Sequence, residues 1–177
     1  MLIGNFLKNI KKEFKNHKFA GLSFNSEDCK KDYIFFAIKG TKSDGSKFIN
    51  QAIEKGATII ISEQKFEGIR DEVLFLRSKE VRKLLSELAY KIKKDKPKNL
   101  IAITGTNGKS SIADFYFQLL NLSNKKVASI GTLGIKTKNN LKKVSNTTLD
   151  PIGLSKILDD LKKKELTMLY WKLLVMD

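Results

Sequence analysis

The 177-residue chain is 41% hydrophobic, and its 34 Lys and Arg residues outnumber 19 Asp and Glu residues, which gives a formal net charge of +15. This length accommodates one domain or two small ones with a buried core. No run of about 18 apolar residues is present, which argues against a membrane-spanning helix. The single cysteine, Cys29, excludes an intramolecular disulfide and fits a reducing compartment, so we expect a cytoplasmic protein without a membrane partner.

The positive charge does not predict a specific nucleic-acid partner. Lysines are spread through the chain, and no basic motif is interleaved with aromatic residues. A lysine-rich nucleic-acid binder remains an alternative, and it predicts strongly salt-dependent binding to any duplex.

The first half of the chain predicts a helix followed by a β-α-β unit. Apolar residues at helical spacing predict an amphipathic helix over Leu2 to Phe14 that faces the core, with membrane attachment as an alternative. Tyr33 to Ile38 predicts a strand, and Ser46 to Lys55 predicts a helix that stops at Gly56. Thr58 to Ile61 predicts a buried strand. This order indicates an α/β fold with a parallel sheet.

A domain boundary is predicted near the middle of the chain. Val73 to Leu76 predicts another strand, and Lys79 to Lys93 predicts a helix with apolar residues three and four apart. The charged segment from Lys93 to Asn99 contains one of only two prolines. We therefore place the boundary there, which gives domains at residues 1–95 and 96–177.

The segment from Leu100 to Ser111 reads L-I-A-I-T-G-T-N-G-K-S-S, the order of a strand, a glycine loop and the start of a helix. Glycines let backbone N–H groups approach a polyphosphate, and the helix N-terminus adds partial positive charge. Lys109 would reach the outer phosphates as the catalytic residue, and the Ser110 hydroxyl would ligate Mg²⁺. The predicted ATP site comprises Gly105, Thr106, Asn107, Gly108, Lys109, Ser110 and Ser111. The general P-loop pattern has a glycine where Ile103 stands, and the alternative is a turn without a ligand.

The remainder of the chain predicts a strand, a turn and a helix. Lys126 to Ile130 predicts a strand that runs into G-T-L-G, and Asn139 to Lys143 predicts a polar turn. Asp150 followed by Pro151 predicts a helix start, because the aspartate caps the helix and the proline occupies its first turn. The motif S-N-T-T-L-D-P spans Ser145 to Pro151.

Several of these motifs resemble one enzyme family. T-G-T-N-G-K followed by hydroxyl residues is similar to the ATP loop of the Mur ligases, the ATP-dependent amide-forming enzymes of peptidoglycan synthesis. It is also similar to that of folylpolyglutamate synthases, which usually carry glycine where this chain has Ser110. The segment from Asn25 to Glu63, I-G-T-L-G and N-T-T-x-D-P resemble the Mur ligases that add the third residue of the stem peptide. Other Mur ligases and folylpolyglutamate synthases remain alternatives.

The resemblance implies a small N-terminal α/β domain that binds the UDP-substrate, followed by a truncated start of a P-loop-type central ATPase domain. It implies that Ser26, Thr41, Lys42 and Ser43 contact the uridine nucleotide, and that Asn146, Thr147 and Thr148 contact the muramoyl peptide. The alternatives are a turn capped by Ser26 and an Asx or Thr turn at residues 146–148.

The reaction implied is an ATP-dependent ligation. ATP would phosphorylate a carboxylate of UDP-N-acetylmuramoyl-L-alanyl-D-glutamate, and an amino acid amine would then attack the acyl phosphate. The motifs do not distinguish lysine from diaminopimelate as the amino acid added.

The last twelve residues, Leu166 to Asp177, differ in composition from the rest of the chain. They contain the only Trp and two of the three Met residues. In the resembling family the corresponding strand ends in E-A-S-S-H-G. The gene can also be read in the frame that starts at the third base of each codon. In that frame the codons of Tyr170 and Trp171 together encode Leu, those of Trp171 and Lys172 encode Glu, and those of Met176 and Asp177 encode Gly. The codons between them permit Ala, Ser, Ser and His.

Our hypothesis is that residues from about 166 to 177 are non-native, through a frameshift or truncation, and that the chain is an incomplete, inactive ligase. The alternatives are a genuine apolar strand at this position and a non-catalytic nucleotide-binding fragment.

Overall fold

The computed structural model describes residues 1–40, 43–93, 95–131, 134–143 and 150–164 in full, and residues 168–172 as backbone. The chain divides into two compact units, Met1–Ile92 and Lys93–Asp177. Within the described residues, each unit has an α/β fold built on its own five-stranded sheet, in which parallel and antiparallel strands are mixed.

The sheet of the first unit has the strand order β1-β2-β3-β5-β4, with β1, β2, β3 and β5 parallel and β4 antiparallel to β5. The bounds are β1 Gly21–Ser23, β2 Tyr33–Phe36, α1 Ile49–Glu54, β3 Ala57–Ser62, β4 Gly68–Arg70, β5 Val73–Arg77 and α2 Val81–Ile92. The central strand β3 is almost continuously apolar and buried, which is the pattern of a parallel strand covered on both faces.

The predicted β-α-β unit is confirmed by β2, α1 and β3. Its helix is shorter than predicted, because the chain first makes a 3-10 turn over Gly45–Phe48, and only then becomes α-helical. Gly56 ends the connection with φ +101°, and a Cβ there would lie 2.8 Å from the Cα atom of Lys31. Both the backbone conformation and the lack of space therefore require glycine.

The predicted helix over Leu2 to Phe14 is wrong. The segment contains only two 3-10 turns, Ile3–Asn5 and Lys12–Phe14. Its backbone pairs instead with the segment that follows, since the Ile3 N–H donates to the His17 carbonyl at 3.0 Å. These tertiary hydrogen bonds override the helical periodicity. The expectation that the segment faces the core is confirmed, because Ile3 and Phe14 are buried.

Strand β4 was not predicted from the sequence. It forms a hairpin with β5 through a two-residue turn, Asp71 and Glu72, whose φ angles are +48° and +63°. Positive φ at both positions matches the twist of a tight hairpin, but Asp-Glu lacks the glycine that usually marks such a turn.

The sheet of the second unit has the strand order β6-β10-β7-β8-β9, with β6, β10 and β7 parallel and β8 and β9 added antiparallel. The bounds are β6 Asn99–Ile103, α3 Lys109–Leu122, β7 Val127–Gly131, β8 Gly134–Thr137, β9 Asn140–Lys142, α4 Pro151–Lys163 and β10 Met168–Lys172. No helix in the described ranges of either unit is both long and apolar enough to cross a membrane.

The predicted start of α4 is confirmed. Asp150 is the cap, and its Oδ1 atom accepts a hydrogen bond from the Gly153 N–H at 2.8 Å. The predicted polar turn from Asn139 to Lys143 is shorter than expected, because Thr137 pairs with Asn140 and strand β9 follows at once.

Strand β10 lies within the segment for which we hypothesised non-native residues. It runs between β6 and β7, and Met168 to Lys172 pair in register with Asn99 to Ile103 of β6. Residues 165–167 and 173–177 lie outside the described residues, so the hypothesis of a shifted frame stays a prediction.

Helix α4 carries a buried carboxylate between two lysines. Asp159 accepts a hydrogen bond from Lys163 at 2.8 Å and lies 3.6 Å from the Lys93 ammonium. The hydrogen bond from Lys163, followed by the charges of both lysines, holds the pKa of Asp159 below its ordinary value. The cluster joins the start of the second unit to α4.

We expect Asp159→Asn to lower the melting temperature at pH 7. A carboxyl with a depressed folded-state pKa stabilises the fold above its unfolded pKa, and that stability is lost as the pH falls through the folded value. The difference from the parent chain should therefore shrink as the pH is lowered below about 4, near the unfolded pKa of an aspartate. Melting curves at several pH values measure this, with Asp160→Asn on the exposed neighbour as control. An equal difference at all pH values would contradict the role of the charge.

Candidate functional site

The candidate site lies at the carboxyl ends of the parallel strands in the second unit. Ile103 at the end of β6 pairs with Lys172 of β10, and Ile130 near the end of β7 pairs with Trp171. These ends therefore share one edge of the sheet, and parallel sheets bind ligands at that edge. The loop from Thr104 to Gly108 leaves the sheet there.

Two glycines shape this loop. Gly105 has φ +143° and Gly108 has φ +76°, in the left-handed region. A Cβ on Gly108 would meet no atom within 4 Å, so backbone conformation rather than space accounts for glycine here. Gly108 is also the residue that precedes α3, and the Ile112 N–H donates to its carbonyl at 2.9 Å.

The Lys109 side chain is held against the loop. It is 9% exposed, and its ammonium donates a hydrogen bond to the Thr106 carbonyl at 3.0 Å. Within the described segment 95–131, the first turn of α3 carries no acidic residue, so no side chain there neutralises the positive end of the helix. The loop thus combines a lysine ammonium with the N–H groups of a helix start, which is the chemistry that holds phosphate.

The one acidic side chain of α3, Asp114, is paired with groups outside the loop. Asp114 accepts hydrogen bonds from Lys136 on β8 and from Gln118, both at 2.6 Å. The Lys136 hydrogen bond, more than that of Gln118, holds the pKa of Asp114 below its ordinary value. Lys136 also lies 4.8 Å from the ring centre of Phe117. This cluster ties β8 to α3 and neutralises a carboxylate one turn beyond the loop.

The side chains at the start of α3 could bind a magnesium ion that is held mainly by phosphate oxygens. In the described parts of the chain, no group of three or more His, Cys, Asp or Glu side chains could hold a metal ion. Magnesium bound with nucleotides uses only one or two protein ligands besides phosphate oxygens and water. Ser110 and Ser111 are exposed at the start of α3, beside Lys109, where a hydroxyl could complete such a shell.

In the first unit, Ser26 follows β1 at the carboxyl edge of its sheet. Its hydroxyl is buried and donates a hydrogen bond to Oε1 of Gln51 at 2.6 Å, which ties the segment to α1. The alternative that Ser26 caps a turn is wrong, since the Asn25 side chain accepts the capping bond from Glu27 N–H at 3.2 Å.

The loop after β2 lies at the same edge, because β1 and β2 are parallel neighbours. Ser43 is exposed, and its carbonyl accepts a hydrogen bond from the Gly40 N–H at 2.9 Å. Asp44 caps the following 3-10 turn, and a Cβ on Gly45 would lie 2.6 Å from the Ile38 nitrogen. Asp44 and Gly45 are thus explained by local structure, while Thr41 and Lys42 lie outside the described residues.

Residues Asn146, Thr147 and Thr148 also lie outside the described residues. The sequence alone does not mark Gln51 or the Asp114–Lys136 pair as part of a site. Their partners are 25 and 22 residues away along the chain, and no local pattern marks such a pair.

Comparisons with known proteins agree with this architecture. Residues 18–92 match the family model described as "Mur ligase family, catalytic domain", and residues 103–170 match "Mur ligase middle domain". The chain is 41% identical to UDP-N-acetylmuramoyl-L-alanyl-D-glutamate--2,6-diaminopimelate ligase of Rickettsia prowazekii over 165 residues, 91% of this chain and 34% of that protein. The Buchnera aphidicola protein of the same name is 35% identical over 85% of this chain and 32% of its own length.

Among solved structures, a ligase of that same name superposes with a TM-score of 0.80 at 25% identity, over 98% of this chain and 36% of the other. A MurF ligase from Thermotoga maritima in complex with ADP has a TM-score of 0.53 at 23% identity, which shows likeness of fold. The chain thus spans about a third of the length of the relatives it matches. The two Mur ligase models matched in sequence order, together with a relative that is 41% identical over 91% of this chain, show that the chain belongs to the Mur ligase family.

Proposed function

We propose that the chain supplies the UDP-substrate-binding domain, residues 1–95, and the first part of the ATP-binding domain, residues 96–177, of a cytoplasmic Mur ligase. The ligase would add diaminopimelate to UDP-N-acetylmuramoyl-L-alanyl-D-glutamate. Support for the substrates comes from the names of the relatives in Rickettsia prowazekii and Buchnera aphidicola. Because the chain spans about a third of their length, the proposed activity is that of a polypeptide that includes the remainder.

The observation that carries the proposal is the loop between β6 and α3. It places Lys109 and two positive-φ glycines at the carboxyl edge of a parallel sheet. In the proposed site the amides of Gly105 to Gly108 cradle the phosphates of ATP, and Lys109 offsets their negative charge. Asn107 and Thr106 belong to the same cradle, and Ser111 lines its helix side.

Magnesium, bound through the phosphates and the Ser110 hydroxyl, would supply charge neutralisation at the transferred phosphoryl group. The residues of this chain would hold the phosphates of ATP in position for the transfer. Transfer of the γ-phosphoryl group to the substrate carboxylate releases ADP, and attack by the amine then forms the amide and releases phosphate and a proton.

In the first unit, Ser26 and the loop of Thr41, Lys42 and Ser43 would contact the uridine nucleotide. Support comes from the positions of Ser26 and Ser43, which follow two adjacent parallel strands. The Ser26 hydroxyl donates to Gln51, and its oxygen keeps acceptor capacity for a ligand N–H. Asn146, Thr147 and Thr148 would contact the muramoyl peptide.

The reading frame near the end of the chain is part of the proposal. The match to the middle-domain model ends at residue 170, and the codons that permit L-E-A-S-S-H-G begin at Tyr170 and Trp171. We expect the gene, read from the third base of codon 170, to spell L-E-A-S-S-H-G and to continue as a long open frame.

The protein translated in that frame should release ADP and phosphate only when the UDP-linked dipeptide and diaminopimelate are both present. A coupled ADP-release assay with each substrate omitted in turn measures this, with the 177-residue chain as an inactive control. An open frame whose protein lacks this activity would overturn the proposed reaction, and a frame that closes at once would overturn the proposed frameshift.

A further inference from the structure

A cavity of about 510 Å³ opens between helix α1 and the hairpin of β4 and β5 in the first unit, and we call it the α1 groove. Its volume is typical of small-molecule pockets. The residues that line it include Ile53 and Glu54 of α1 and Phe75 of β5. Gln51 of the same helix bonds instead to Ser26, and neither of these two residues lines the groove. The α1 groove is therefore separate from the proposed uridine site.

The floor of the α1 groove is apolar and only partly covered. Phe75 is half-buried, although its neighbour Ile60 on β3 is fully buried. The residue opposite Phe75 on β4 is Gly68, which has no side chain to cover the ring. Ile53 is also half-buried, and Phe66, which is 42% exposed, meets the Phe75 ring edge-on with 5.6 Å between ring centres. The groove thus offers aromatic and aliphatic surface to a ligand.

Charged side chains of both signs line the same groove without pairing. Glu54 is the last residue of α1, Arg70 ends β4, and Asp71 lies in the hairpin turn. All three are exposed, and no side-chain hydrogen bond or ion pair joins any of them to another residue in the described part of the chain. The guanidinium carbon of Arg70 lies 4.6 Å from the centre of the Phe66 ring. Such stacking leaves the N–H donors of an arginine available to an anion.

These three charges lie at one end of the groove. As the helix of a β-α-β unit, α1 runs opposite to the parallel strands β3 and β5, so Glu54 lies near the amino end of β5. Arg70 pairs with Val73, the first residue of β5, and Asp71 belongs to the turn that precedes it. A ligand could therefore place charged groups at this end and extend an apolar part along the strand over Phe75.

We propose that the α1 groove binds a free α-amino acid with a large apolar side chain. Such a ligand carries a carboxylate and an ammonium group on one carbon atom. The carboxylate accepts hydrogen bonds from Arg70, the ammonium group is attracted by Glu54 and Asp71, and the side chain covers Phe75. A ligand with a single charge would leave either the guanidinium or the two carboxylates without a partner. The inference goes beyond the proposed function and does not rest on it.

The test is an amide NMR titration of the ¹⁵N-labelled 177-residue chain with L-phenylalanine. We expect saturable shifts concentrated at residues 50–54 and 70–75, which line the groove. Two analogues each lack one charge: 2-phenylethylamine has no carboxylate, and 3-phenylpropanoate has no ammonium group. Each should bind about threefold more weakly, because one ion pair is lost. Glycine keeps both charges but lacks the apolar side chain, so it should give no saturable shifts.

Two variants assign the charges to their partners. Arg70→Gln should weaken the binding of L-phenylalanine by about threefold to tenfold and leave that of 2-phenylethylamine unchanged. Glu54→Gln should weaken the binding of 2-phenylethylamine and leave that of 3-phenylpropanoate unchanged. The matched controls are Arg77→Gln and Glu63→Gln, which change exposed residues of the same unit outside the groove. All four positions are exposed, so each variant should fold as the parent does, which the NMR spectra check.

Three results would overturn the proposal. They are the absence of saturable shifts with L-phenylalanine, equal affinity for L-phenylalanine and both analogues, and equal affinity of Arg70→Gln and Arg77→Gln for L-phenylalanine. Equal affinity for all three ligands would show an apolar contact without recognition of charge. Titration of MgATP into the same sample reports separately on the loop before α3, so failure at one site is distinguishable from failure at the other.

Discussion

Replacing Lys109 with Ala is expected to weaken the binding of MgATP by about tenfold to a hundredfold. The ammonium is fixed against the loop by the Thr106 carbonyl, and hydrogen bonds to charged groups contribute about 1.5–3 kcal/mol. Each 1.4 kcal/mol corresponds to about a factor of ten in affinity. Isothermal titration of MgATP into the parent chain and the variant measures the loss.

Two further variants separate charge from folding. Lys109→Met keeps the aliphatic stem that packs in the buried site, and it should lose affinity as Lys109→Ala does. Lys125→Ala removes an exposed lysine of the same unit, and so changes the net charge by the same amount as the Lys109 variants. Its affinity for MgATP should match that of the parent chain. Unchanged binding in both Lys109 variants would refute the assignment of the loop.

The second large effect is expected in the core of the first unit. Ile60 is fully buried on the central strand β3, opposite Phe35 of β2 and Phe75 of β5. Ile60→Ala should lower the free energy of unfolding by about 2–5 kcal/mol, through lost transfer energy and the cavity left behind. Since small domains are stable by only about 5–15 kcal/mol, this is a large share of the total.

Urea denaturation followed by circular dichroism measures this change. Ile60→Val is the matched control, because it removes a single methyl group and should cost about 0.5–1.5 kcal/mol. Equal losses in the two variants would show that the side chain is less tightly packed than the structure indicates.

Local patterns were sufficient where the structure depends on neighbouring residues. The order of strand, glycine loop and helix around Lys109 was predicted from one continuous motif, and Gly56 was predicted as a helix stop. The cap at Asp150 depends on a residue three positions away. In each case the interactions that decide the conformation lie within a few residues.

The sequence was insufficient where distant segments decide the conformation. Leu2 to Phe14 has helical periodicity, yet its start is held by backbone hydrogen bonds to residues near His17. The Ser26 hydroxyl bonds to Gln51, which no spacing rule connects to it. The placement of β10 between β6 and β7 depends on a pairing across almost 70 residues of chain.

The most direct test of the nucleotide site is an amide NMR titration of the ¹⁵N-labelled chain with MgATP. We expect saturable shifts concentrated at Gly105 to Ser111, and much smaller shifts with AMP, which lacks the polyphosphate. Absence of saturable shifts, or shifts of equal size with AMP, would contradict the phosphate cradle on which the proposed function rests.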